Sequence, residues 1–215
     1  MIKFDADLFR IAYMCASTEE TRYYLRGVFV EPCKKACGVT MTATDGHSLV
    51  SVYDARGEAP VGGVILSADK AALAQLKRGK HASSRVAEGE LSGGVLMASL
   101  TDLFEKTTGA EPGKPEVAGV AKLCAIDGSF PDWRRVIPDP AQERKSVPTF
   151  NAGLVERMAT VCEALAKLRG EREGMLTYAA ADAMSPANVW FGDDRALGVI
   201  MPLRGKESLT RPYWL

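Results

Sequence analysis

One order of elements recurs three times along the 215 residues: a helix followed by three strands. Residues 6–16 read as a helix, with Leu8, Ile11, Ala12 and Cys15 on one face and Asp5 or Asp7 as cap. Strands are predicted over 22–30, 39–44 and 47–53, with Asp45-Gly46 as the tight turn between the last two. A short strand at 63–66 then leads to a helix over 68–78, capped by Ser67 and ended by Gly79. Strands at 84–87, 94–100 and 120–126 follow, interrupted by a Gly/Pro/Thr-rich loop over 107–115. The third occurrence starts at Thr149-Phe150, the end of a strand. Asn151 caps a helix over 152–169, and strands follow at 175–180, 187–191 and 196–201. Units of roughly 55–80 residues that repeat in element order, though poorly in identity, predict an α+β architecture with helices on one side and antiparallel sheet on the other.

Composition narrows the function. Lys+Arg and Asp+Glu balance at 27 each, which excludes a uniformly basic nucleic-acid binder but permits one basic and one acidic face. The five cysteines lack framework spacing and read as reduced thiols in a cytoplasmic protein. Cys33 and Cys37 fit a turn between strands better than a zinc site, since the two histidines are distant in sequence and no second Cys pair exists. Neither a signal peptide nor a membrane span is expected, and no cofactor.

Chemistry-bearing motifs are few. No Gly-x-Ser-x-Gly elbow, phosphate loop, dinucleotide fingerprint or His-Glu-x-x-His helix occurs. Asp45 and His47 could serve a catalytic site, but Asp-Gly at a hairpin tip has a sufficient backbone reason. The expectation is a protein that is not an enzyme. Lys70, Lys77, Arg78 and Lys80 lie on or just after the second helix, and Arg157, Lys167, Arg169 and Arg172 on or after the third. They are either solvated helix faces or a track for nucleic-acid phosphates. About four such contacts would give a salt slope of only about −3.6, suited to weak, sequence-blind holding.

Phe130-Pro-Asp-Trp-Arg-Arg-Val-Ile-Pro138 is bracketed by proline, which predicts a stiff, extended segment able to cross a domain boundary. By composition alone it would be a linker.

Together with this stretch, Arg22-Tyr-Tyr-Leu-Arg-Gly27, Ala43-Thr-Asp-Gly-His-Ser-Leu49, Phe150-Asn151 and Val199-Ile-Met-Pro-Leu-Arg204 stand in the order found in the bacterial DNA polymerase III β subunit. The chain thus resembles the sliding-clamp family from its first helix to Arg204. The resemblance implies a clamp fold of three helix-plus-antiparallel-strand units, about one and a half clamp domains. Residues 1–138 resemble the complete middle domain, 139–205 the second half of the last domain, and 206–215 form a C-terminal tail.

It also implies function: a processivity factor that holds duplex DNA loosely and tethers a polymerase through a peptide-binding cleft. Carried over by motif, the cleft would be lined by Leu25, Thr44, Gly46, His47, Leu49, Pro131, Arg135, Val136, Val199, Met201, Pro202, Leu203 and Arg204, with Trp133 packing inward or against the domain joint. Tyr23 and Tyr24 correspond to a position near DNA, and on a strand one of the pair would face the core. The implied partners are duplex DNA, a DNA polymerase, other proteins with clamp-binding peptides, and a clamp loader. An adaptor or decoy for those partners, which does not encircle DNA, is the alternative. Ser48 stands where the family often has arginine and Trp133 where it often has tyrosine. In the tail, Leu209, Tyr213, Trp214 or Leu215 is either frayed or docks in this cleft or a neighbour's, competing with peptides.

Each family domain holds two units, so a third unit lacks its companion and leaves an apolar helix side and a strand edge uncovered. A homo-oligomer follows as an expectation, a dimer or a tetramer.

Overall fold

The computed structural model describes residues 1–104, 113–137 and 148–203. Predicted features outside these residues are most of the 107–115 loop, the domain boundary at 138–139, Arg204 and the tail.

The first unit comprises β1 (Ile2–Asp5), α1 (Ala6–Tyr13), β2 (Val28–Pro32), β3 (Val39–Thr44) and β4 (Ser48–Asp54). The second comprises β5 (Val64–Ser67), α2 (Lys70–Gln75), β6 (Ser84–Gly89), the two-residue β7 (Leu91–Ser92), β8 (Val95–Leu103) and β9 (Glu116–Ile126). The third has α3 (Ala152–Arg169), β10 (Thr177–Ala180), β11 (Ala187–Trp190) and β12 (Ala196–Ile200). All join one antiparallel sheet in the order β1-β6-β8-β9-β5-β2-β3-β4-β12-β11-β10, with β7 paired to β8.

Local chemistry explains the helix starts. Asp5 caps α1, its carboxylate accepting from Asp7 N at 2.9 Å and Leu8 N at 3.0 Å. Asn151 caps α3 through Gly153 N at 2.8 Å, and α3 ends at Gly170, whose φ of 77° suits a residue without Cβ. Phe4, Phe9, Met41, Leu66, Leu76, Met158, Leu165, Phe191 and Ile200 are fully buried in one core that draws on all three units.

Several predicted elements differ. The aromatic run at 22–27 is not a strand: Tyr23–Leu25 form a 3-10 turn, with Leu25 N bonded to Arg22 O, and the strand starts only at Val28. Neither tyrosine is buried, so the expectation that one of them faces the core fails. Helix α2 is shorter than predicted because Asp69, not Ser67, caps it (Ala72 N, 2.7 Å). Ser67 belongs to β5 and donates to Cys124 O, and Gly79 lies beyond the helix end at Leu76. Residues 133–136 form a 3-10 turn rather than an extended segment, and Thr149–Phe150 lie outside any strand. Strand β1 had no counterpart in the predicted elements. Among the described residues no helix is long and apolar enough to cross a membrane.

Candidate functional site: an apolar cleft between the units

Three segments distant in sequence meet at the joint between β4 and β12. The first is the β3–β4 hairpin tip. Asp45 Oδ1 accepts from His47 N at 2.9 Å and Ser48 N at 2.7 Å, Thr44 Oγ1 accepts from Gly46 N at 3.0 Å, and Gly46 takes a φ of 88°. The tip is thereby held in one shape, with His47 exposed at its apex.

The second is the proline-bracketed stretch, held by its aromatic residues. Trp133, 7% exposed, donates from Nε1 to Glu31 Oε1 at 3.0 Å, and Arg134 reaches the same oxygen at 2.8 Å. The Arg134 guanidinium also lies over the Trp133 ring, 4.2 Å from its centroid. Phe130 stacks on Phe29 at 5.0 Å.

The third segment is the end of β12. Leu49 pairs with Val199 in the β4–β12 register, and Met201 N donates to His47 O at 2.9 Å. Leu49, Trp133 and Val199 form a small core of their own, separate from the main one.

Above this core opens a cleft of about 200 Å³, lined by Leu25, Thr44, Gly46, His47, Ser48, Leu49, Pro131, Asp132, Trp133, Val136, Val199 and Met201. A second groove of about 380 Å³ shares His47 and Met201 and continues past Pro202 and Leu203 to Asn151, Gly153, Leu154 and Arg157 at the start of α3. The fold thus brings together every predicted cleft residue except Arg135 and Arg204. Arg135 is not among the lining residues, its side chain 83% exposed and paired with the rim residue Asp132 at 3.0 Å; Arg204 lies outside the described residues. Sequence reasoning did not assign Ser48, Asp132, Trp133, Asn151, Gly153, Leu154 or Arg157 to the cleft. Ser48, Asp132, Trp133 and Asn151 lie within the motifs themselves, Arg157 was read as a phosphate contact, and Gly153 and Leu154 carried no signal before the helix was packed against the hairpin. Val136 and Met201 are 41% and 36% exposed at the rim. An apolar floor with exposed apolar rims can hold a few side chains of an extended ligand.

The joint is also ionic. Arg157 of α3 pairs with the Asp45 carboxylate and contacts Ser48 Oγ at 2.8 Å. Burial pushes the Asp45 carboxyl up, but Arg157 and the backbone N–H groups of Ser48 and His47 outweigh it and hold it below the usual carboxylate range. Asp45 meets His47 through the backbone N–H, an arrangement for shaping a turn rather than for moving protons.

A wider basin of about 990 Å³ lies beside α1 and α2. Arg26, Lys70, Lys122 and Arg157 line it with Tyr23, against one carboxylate, Asp69. Lys122 was legible only as an outward position between buried Ala121 and Leu123 on β9. The other predicted cations are scattered. Arg78 pairs with Asp7 at 3.5 Å, Arg169 with Glu171 at 2.6 Å and Asp193 at 3.1 Å, and Lys167 approaches Glu163 at 4.0 Å. Lys77 and Lys80 are exposed.

The geometry can be set beside known proteins. The chain is 32% identical over 152 residues to the β sliding clamp of Caulobacter vibrioides, a match that covers 67% of this chain. The chain belongs to the bacterial β sliding-clamp family. The match spans 36% of the length of that relative. No family model matches. Among solved structures, the DnaN sliding clamp of Bartonella birtlesii aligns over 95% of this chain and 66% of its own, with a TM-score of 0.59 and 19% identity. The Caulobacter crescentus clamp gives 0.56 and 21%, covering 95% and 65%. The Bacillus subtilis clamp gives 0.55 and 15%, covering 95% and 64%. The fold is the clamp fold, of a size that fits about one and a half clamp domains.

Proposed function

We propose that this clamp-family protein is a processivity factor: its cleft captures a short peptide of a DNA polymerase or another partner while its basic basin holds duplex DNA loosely. The observation that carries this reading is the apolar cleft itself, walled by three separate segments and floored by Leu49, Trp133 and Val199. Two apolar anchors buried there contribute roughly 1.5–3 kcal/mol each. Less the cost of ordering a flexible peptide, this gives about micromolar affinity, tight enough to recruit a partner and weak enough to exchange it. On this reading residues 1–138 act as a complete clamp domain, 139–205 as half of one, and a clamp loader is a further partner. The protein binds and positions its partners and carries out no reaction.

A second reading, an adaptor that keeps the cleft without encircling DNA, is favoured by one observation. Arg78, Arg157 and Arg169 all have carboxylate partners within the chain, which reduces the charge left for phosphates.

Fluorescence anisotropy with a labelled clamp-binding peptide tests the cleft. Met201→Ala with Val136→Ala should weaken binding by about tenfold or more; unchanged binding would sink the peptide reading. Retention on circular but not linearised DNA separates the processivity factor from the adaptor.

A further inference from the structure

The cleft and the groove along the start of α3 share His47 and Met201, so one extended chain can run from the first into the second. The lining of the second groove is mostly apolar, through Leu154, Met201, Pro202 and Leu203. Among its described lining residues there is no carboxylate, and the one permanent charge is Arg157. Packing decides where that charge sits. Met158 is fully buried and pins this turn of α3 to the core, while the neighbouring Arg157 side chain stays 32% exposed beside the hairpin tip. That tip has Ser48 where the family often has arginine. Here the guanidinium comes from another element, α3, and contacts Ser48 Oγ at 2.8 Å.

Only part of that guanidinium is used. Among the described residues, both hydrogen bonds of Arg157 leave from Nη1, to Asp45 Oδ2 and to Ser48 Oγ. Nε and Nη2, whose N–H groups lie side by side and match the two oxygens of a carboxylate, have no partner there. Arg85, Arg169 and Arg195 show what this edge does in the same chain. Each of them uses Nε and Nη2 on a carboxylate, that of Asp102, Glu171 and Asp193 respectively, at 2.6 to 3.0 Å. Asp45 is itself fully engaged. Besides Arg157 it accepts from His47 N, Ser48 N and, at 3.1 Å, Ser48 Oγ. The pair therefore fixes the Arg157 head in place and leaves its second edge for a ligand.

We propose that Arg157 is a specificity-determining residue of the peptide site: it selects partner segments that carry an acidic side chain beside their apolar anchors and bring that carboxylate onto its Nε–Nη2 edge. The inference rests on the peptide reading given above. Two features assign the occupant. The second groove continues the cleft without a break in its lining, and a groove with one fixed cation and no carboxylate is complementary to an apolar chain bearing one acid. Arg157 also borders the basic basin, which makes a DNA phosphate the rival ligand for it. The peptide is favoured because the guanidinium is tied to the hairpin tip that walls the cleft.

The test is fluorescence anisotropy on the full chain with a labelled, C-terminally amidated peptide carrying two leucines in a Ser/Gly background. One Glu or one Gln is placed at successive positions on either side of the leucines. At one position Glu should bind about three- to tenfold more tightly than Gln, a preference that shrinks as salt rises. Arg157→Gln should abolish the preference, and Arg157→Lys, which keeps the charge but not the fork, should retain part of it. The readout is the double-mutant cycle between Glu or Gln in the peptide and Arg or Gln at 157. A purely structural role of Arg157 would weaken both peptides alike and give no coupling. Lys167→Gln removes a charge elsewhere on α3 and should keep the preference. Equal binding of Glu and Gln peptides to the wild-type chain, which needs no variant to fold, would overturn the inference. So would a preference that survives Arg157→Gln or that Lys167→Gln removes equally. Weaker DNA binding by Arg157→Gln with no coupling in the peptide cycle would assign the side chain to phosphates instead. If no peptide of the series binds, the cleft reading falls and this one with it; if Glu and Gln peptides bind alike, only the selection falls.

Discussion

Leu49 and Val199 stand opposite one another in the β4–β12 ladder, 3% and 2% exposed, and form the floor of the cleft. The ladder they belong to joins the first and third units through main-chain bonds, so the floor of the cleft is part of the sheet. The consequences below are separately measurable.

Trp133→Phe should lower stability by about 1.5–3 kcal/mol, the range for a hydrogen bond to a charged group. The ring volume is largely kept and Arg134 still satisfies Glu31, so chemical denaturation should show a lower midpoint with an unchanged slope. The same variant should bind peptide more weakly, because the 133–136 turn loses its anchor. An unchanged midpoint would mean that packing alone positions the stretch.

Asp45→Asn keeps an acceptor for the hairpin N–H groups but gives up the ion pair with Arg157. The expected loss at neutral pH is about 1 kcal/mol. The native carboxyl sits below its ordinary value of 3.8. Its contribution is therefore present above 3.8 and is lost as pH falls through the lower folded value. The gap between wild type and variant in thermal unfolding should narrow only in strong acid.

Asp5 behaves in the opposite sense. Burial, with Asp7 and Asp54 nearby, pushes its carboxyl up to about 6 from 3.8, against the backbone N–H bonds of Leu8 and Asp7. The native state thus binds the proton more tightly than the unfolded chain. Stability from this group is present below 3.8 and is lost as pH rises through about 6, a change of about 3 kcal/mol. Asparagine caps helices as well as aspartate, so Asp5→Asn should be at least as stable as wild type at neutral pH and should flatten the dependence between those two values. A variant less stable than wild type at neutral pH would refute the burial argument.

If the basic basin holds DNA, the logarithm of affinity should fall with the logarithm of salt with a slope of about −3.6 for four phosphate contacts. Lys70→Glu and Lys122→Glu should each reduce that slope by about 1, uniformly across sequences. Lys77→Glu and Lys80→Glu, outside the basin lining, serve as the comparison. Equal effects of all four would assign the binding to net charge rather than to the basin.

Much of the local structure was legible in the sequence. The hairpin at Asp45-Gly46, the caps Asp5 and Asn151, and the span of α3 follow from turn chemistry, short-range hydrogen bonds and helical periodicity, all set by neighbours along the chain. The motifs also identified the family and most of the cleft lining. Local pattern misled where composition and conformation part: Tyr23–Leu25 and the proline-bracketed 133–136 curl into 3-10 turns that bury Leu25 and Trp133. Tertiary structure alone decided which distant segments share a ladder, that Arg157 is engaged with Asp45, and that among the described residues β10 pairs only with β11. Each of these depends on strand register and on what burial leaves to be satisfied, and a strand does not carry the address of its partner.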